Sequence, residues 1–234
     1  MPAASTNRIG QRLAGAGGVV LGAVFRVVGE VRPTLKPLHP RGDVRRGELH
    51  REGSDEAVGV PLLDEPGVDA VTARVSRATG LPAPLPDIHG LAVRVPLSDG
   101  RHGDLLLAST GLGPATRFLL KPARHPRVLT TLLPYATPTG PVLLAAVAQG
   151  EERYDLLWAR TRGPWHRWGR LILRERHDAD PLVSFDPVAN PLPALEHPAW
   201  VRRLREPAYA QARRSRRRTQ PAPSGSSSDA ARWD

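Results

Sequence analysis

The residues able to do chemistry sit in short polar islands between apolar runs. His39-Pro40-Arg41-Gly42, with Gly47 five residues beyond Gly42, offers an imidazole, the side chain best suited to moving a proton near neutral pH. Taken alone, His39 reads as a surface or packing histidine. Next come Thr72-Ala73-Arg74-Val75-Ser76, then Asp87-Ile88-His89-Gly90, then Gly103-Asp104-Leu105-Leu106-Leu107-Ala108-Ser109. Near the far end Arg205 and Tyr209 are four residues apart, which on a helix puts both side chains on one face. The chain has no cysteine, which excludes disulfides, thiolate metal sites, iron–sulfur clusters and a cysteine nucleophile. His102, His125, His166, His177 and His197 fall on turns or polar segments without the i,i+4 pairing of a metal site.

The elements that must position these residues are short. Twenty-five prolines and 22 glycines in 234 residues favour many turns over long helices, and the length suits one large β-rich domain with tails. Residues 13–25 are apolar but end at Arg26, short of a membrane span, and no signal-peptide cleavage pattern follows. Residues 6–30 therefore read as a core-packing or amphipathic helix stopped by Pro33, and the protein is expected in the cytoplasm. From residue 34 the pattern changes to apolar runs separated by Gly, Pro and Asp. Strands are expected at 45–51, 69–76, 88–96, 103–109, 141–148, 153–161 and 168–175, with turns at Ser98-Asp99-Gly100, Thr137-Pro138-Thr139-Gly140 and Gly163-Pro164. Their spacing predicts an antiparallel barrel or sandwich, with Trp158, Trp165 and Trp168 plugging its interior or its end. A closing helix is expected over 199–217 and a disordered tail over 219–234, so the domain plan is an arm (1–32), a barrel with a C-terminal helix (33–210) and a basic tail (211–234).

Charge narrows the partners. The formal net charge is +10, all but two of the basic residues are arginines, and eight of those lie between Arg202 and Arg218 against the single acid Glu206. The body is nearly balanced, which excludes a domain that coats nucleic acid uniformly. Only the Arg213–Arg218 segment could contact phosphates of nucleic acid or anionic lipid, and in an arginine-biased chain it reads first as a solvated tail.

Read together and in order, the segments resemble the haem-dependent catalase family. His39 with Gly42 and Gly47 matches H-x-K-G-x4-G, which carries the distal histidine of that family. Arg74 and Ser76 match V-R-F-S, and 87–94 matches the next strand, D-P-R-G-F-A-V-K. Asp104-Leu105 keeps the Asp-Leu of N-W-D-L-x-x-N-N, but Ser109 replaces the final asparagine. Lys36 stands where the family has a second propionate-binding arginine. Phe185-Asp186-Pro187 resembles the F-N-P segment, after which Pro198, Arg205 and Tyr209 fall at the spacing of its proline and R-x-x-x-Y. The resemblance covers roughly residues 30–210 of a chain far shorter than a typical catalase. It implies an antiparallel β-barrel with flanking helices, haem bound through Tyr209 and Arg205 with Arg74 and Lys36 at the propionates, and His39, Ser76 and Ser109 on the peroxide side. A distal histidine would take and return the peroxide proton, and with serine in place of asparagine the implied activity is peroxidase-like or weakly catalase-like. Two alternatives stand beside it. One is a remnant of the barrel that has lost catalysis and binds another apolar ligand. The other is a metal-dependent phosphodiesterase, since Asp87-Ile88-His89-Gly90 resembles the D-x-H-G opening of metallophosphoesterases, although their G-D element is out of order here.

Overall fold

The computed structural model describes residues 41–78, 85–176 and 183–198, and all of them fall within one compact unit, Pro37–Glu206. The helices expected over 6–30 and 199–217 and the tail over 219–234 lie outside the described residues, as do the domain boundaries at 32 and 210.

Eight strands close into one antiparallel barrel in simple chain order: β1 (Arg41–Arg51), β2 (Gly67–Arg77), β3 (His89–Pro96), β4 (His102–Ser109), β5 (Val128–Thr130), β6 (Val142–Ala148), β7 (Arg153–Arg160) and β8 (Trp165–Arg176). Closure is made by β1 pairing antiparallel with β8 from Arg45↔Arg176 to Arg51↔Gly169. Every strand has a partner on both sides, although β4 and β6 meet the short β5 over only two and three residue pairs. Seven of the eight strands match sequence expectations to within a few residues. The eighth, β5, has three residues between Pro126 and Pro134, too few to show alternation, and is held by two pairs with β4 and three with β6.

Alternation decides what faces inward. Val71 and Ala73 on β2, Leu91, Val93 and Val95 on β3, and Leu105 and Leu107 on β4 form adjoining rows with Leu49, Leu129, Leu144, Leu156, Trp158, Trp168 and Leu171, all buried. An eight-stranded barrel is just wide enough for side chains to fill. The void among Leu49, Val93, Leu107, Trp168 and their neighbours is about 10 Å³, too small for an organic ligand.

One end of the barrel is closed by the β1–β2 loop. It carries a one-turn helix, α1 (Pro61–Asp64), and buries Val58, Val60 and Leu63 completely. The Asp64 carboxylate shapes that loop by accepting the backbone N–H groups of Val58 (2.9 Å), Gly59 (2.7 Å) and Val60 (2.9 Å). Trp158 lies at the same end, donating Nε1–H to Ser54 Oγ at 2.7 Å and stacking on His166 at 4.7 Å. Trp158 and Trp168 fill the barrel, while Trp165 sits half-buried at its rim with Nε1–H on the Leu112 carbonyl and the Arg117 guanidinium over its ring. The predicted turns are present: Gly100 takes a left-handed φ of 79° between β3 and β4, and Gly140 and Gly163 donate back to Thr137 and Arg160. Among the described residues no helix is long and apolar enough to cross a membrane.

Candidate functional site

The outer face of β1–β4 carries two of the sequence-predicted site residues, Arg74 and Ser76. On β2 the outward positions are Thr72, Arg74 and Ser76, and the register carries each across its neighbours. Ser76 pairs with Gly42 on β1 and Gly90 on β3, and Gly90 with Ala108 on β4. Arg74 pairs with Val44 and Ala92, and Ala92 with Leu106. The two rows lie about 7 Å apart along the strands and make a floor of small side chains with one arginine at its side. Ser76 is buried on this face at 7% exposure, Gly90 is buried, and Ala92, Leu106 and Ala108 are half-buried. The Arg74 guanidinium lies across Gly42 so closely that a methyl group there would displace it.

A third outward row, Arg46, Thr72, Arg94 and Asp104, borders the floor. Its centre is a buried ion pair: Arg94 donates Nε–H to Asp104 Oδ1 at 2.8 Å and Nη2–H to Oδ2 at 3.0 Å. Asp104, at 1% exposure, also accepts the Asp186 N–H and the Asn190 Nδ2–H, each at 2.8 Å. Its own N–H reaches the Asn190 carbonyl, Arg94 reaches the Ser184 carbonyl, and Phe185 lies 5.0 Å under the Arg94 guanidinium. Asp186 in turn caps Val188 and Ala189. The segment from 183 to 190 is thus fastened to the outer wall at the edge of the floor. A sequence signal for this existed: Asp104 is the only acid in the strand His102–Ser109 and precedes its apolar run Leu105–Ala108, and a buried carboxylate needs partners.

The expected site residues are distributed as follows. Arg74 and Ser76 share the outer floor. Ser109 stands on the other side of the sheet, in the inward row of Leu107 and opposite Leu129. Its hydroxyl accepts the His89 N–H at 3.1 Å and donates to the Lys121 carbonyl at 2.8 Å, so it is spent within the wall. Lys36, His39, Arg205 and Tyr209 lie outside the described residues.

Asp87 and His89 sit at the start of β3 in consecutive antiparallel strands, not at the end of the first strand of an α/β sandwich as in metallophosphoesterases. The fully buried Asp87 carboxylate accepts the Ile88 N–H at 2.7 Å and faces Arg77 Nε at 3.6 Å, while His89 Nε2 bonds the Ala123 carbonyl at 3.0 Å. Burial holds the His89 pKa below its usual value. The Ala123 carbonyl and Asp87 oppose that shift, and Arg77 and His125 add to it.

No protein-family model matches this chain, and no curated protein matches it. Solved structures do. A bacterial catalase superposes with a TM-score of 0.54 at 15% identity, covering 92% of this chain and 61% of that one. A fungal catalase superposes with a TM-score of 0.56 at 11% identity, covering 85% of this chain and 62% of that one. The chain therefore spans less than two thirds of the length of these catalases. At such identities the likeness is one of architecture: the closed eight-stranded antiparallel barrel described here is a catalase-like fold.

Proposed function

We propose that the chain binds haem against the outer wall of β1–β4 and consumes peroxide at a peroxidase-like or weakly catalase-like rate. The observation that carries this reading is the floor of Ser76, Gly90, Ala92 and Ala108 with Arg74 beside it, in a barrel of catalase-like fold. Small side chains in two paired rows suit a flat macrocycle, and an arginine at the edge suits a carboxylate, so the residues present fit the group. Haem, when bound, supplies ferric iron and the redox chemistry of peroxide.

The chain's own residues would supply the rest. Arg74 and Lys36 hold the propionates by charge-assisted hydrogen bonds, with lysine acting as a point charge where arginine would chelate. Tyr209 would hold the iron through a hard anionic oxygen, and Arg205 would favour the ionised phenolate. His39 would hold and return the peroxide proton. Ser76 would line the same face as Arg74. Ser109, engaged with His89 and Lys121, steadies the wall and gives the peroxide no hydrogen bond, which lowers the expected rate.

That same engagement of Ser109 favours a second reading, a catalase-like barrel that binds an apolar ligand on this floor without turnover. The visible spectrum of protein expressed with a haem precursor tests the first. Retained haem with a phenolate-to-iron charge-transfer band, lost in Tyr209→Phe, is the expected result. Colourless protein, or an unchanged spectrum in Tyr209→Phe, overturns the assignment.

A further inference from the structure

We propose that Asp104 is a positioning residue for the outer-wall site, acting through the segment from 183 to 198; this inference rests on the haem reading above. Asp104 is not one of the floor residues. It stands one outward step from Leu106, about 7 Å along β4, at the border where the segment crosses the wall. Its carboxylate gathers four hydrogen bonds from groups far apart in sequence: two from Arg94, one from the Asp186 backbone and one from the Asn190 side chain. Two further bonds, from Asp104 N–H to Asn190 and from Arg94 to Ser184, close the knot, and Phe185 packs beneath the guanidinium.

The chemistry explains why an acid is required there. A buried carboxylate is stable only with its lone pairs satisfied, and the Arg94 fork supplies both the charge and two of the donors. The donors left over are those of the segment itself, so the pair cannot be complete unless 184–190 is seated. Further along, Leu192 packs over Gly103 and Leu195 is fully buried, which continues the seating towards residue 198. Arg205 and Tyr209 follow within eleven residues of Pro198. Asp104 therefore fixes the segment that precedes the proposed iron ligand in sequence.

The test uses the full chain with hemin and compares wild type with Asp104→Asn and Asn190→Ala. Asn190→Ala removes one donor and leaves the Arg94–Asp104 pair intact, so it decides the question if Asp104→Asn fails to fold. Hydrogen exchange is measured without hemin, and the absorption spectrum and affinity with it. Both variants should speed exchange at amides 184–190 while leaving β6–β8 unchanged. They should also shift the band of bound hemin and weaken its retention about tenfold. Variants that loosen the segment but bind hemin with an unchanged band and affinity would show a structural lock only and overturn the inference. Wild type that shows no band distinct from free hemin overturns the haem reading itself, and this inference with it.

Discussion

At position 42 the absence of a side chain lets the Arg74 guanidinium lie flat against β1. Gly42→Ala should therefore move the charged end of Arg74 without disturbing the strand, because the far end of a flexible side chain yields cheaply. Thermal stability should stay within about 0.5 kcal/mol of wild type, while affinity for hemin should drop about tenfold, the worth of one charge-assisted contact. Calorimetry with a hemin titration reads both, and unchanged affinity would remove Arg74 from the site. His89 makes a second residue-scale prediction. Its folded pKa is depressed by burial, so as pH falls the unfolded chain takes up the proton first. Stability should then decline as pH drops through about 6.5 towards the lower folded value, and below that value the loss is complete. His89→Gln, which can still donate to the Ala123 carbonyl, should lose less stability than wild type between pH ~7.5 and ~5.5 in denaturant unfolding. Equal losses would mean that other groups carry the acid response.

The elements are held by caps and clamps at least as much as by strand propensity. Asp64 accepts three backbone N–H groups in the loop that closes the barrel, and nothing else in α1 replaces it, since that helix has no side-chain N-cap. Asp64→Ala should destabilise the fold by about 1–3 kcal/mol in urea melts, with unchanged strand content by circular dichroism. A loss below a few tenths would show that water satisfies the loop equally well. The same distinction explains what could be read from the residues in advance. Strands such as Val142–Ala148 announce themselves through runs of Val, Leu and Ala bounded by Gly140 and Gly150. The first four residues of β1, Arg41–Val44, lack that signal and are strand only because β2 pairs with them. Asp104 was visible as part of a retained Asp-Leu pair, but its role needed the tertiary fold, because its partners Asp186 and Asn190 come more than 80 residues later. Ser109 matched a motif position by spacing, yet the pleat turns it to the inward row, and motif spacing does not encode a face unless the strand register is known.

For the molecule as a whole, the filled barrel and the small-residue wall divide the labour. Leu, Val and Trp side chains inside supply stability, and the proposed site lies on the outer face. The closed barrel, whose match covers 61% of a bacterial catalase, presents this wall on β1–β4. The central claim is that haem docks there. A hemin titration of wild type and Ala92→Trp, followed by visible absorption, tests it most directly. Ala92 is half-buried in the middle of the floor and points away from the core, so tryptophan at this position should leave the barrel folded while covering the wall. The account predicts saturable uptake by wild type, with a band distinct from free hemin, and at least about tenfold weaker uptake by Ala92→Trp at nearly unchanged melting temperature. Equal hemin binding by the two proteins, or none by wild type, would contradict it.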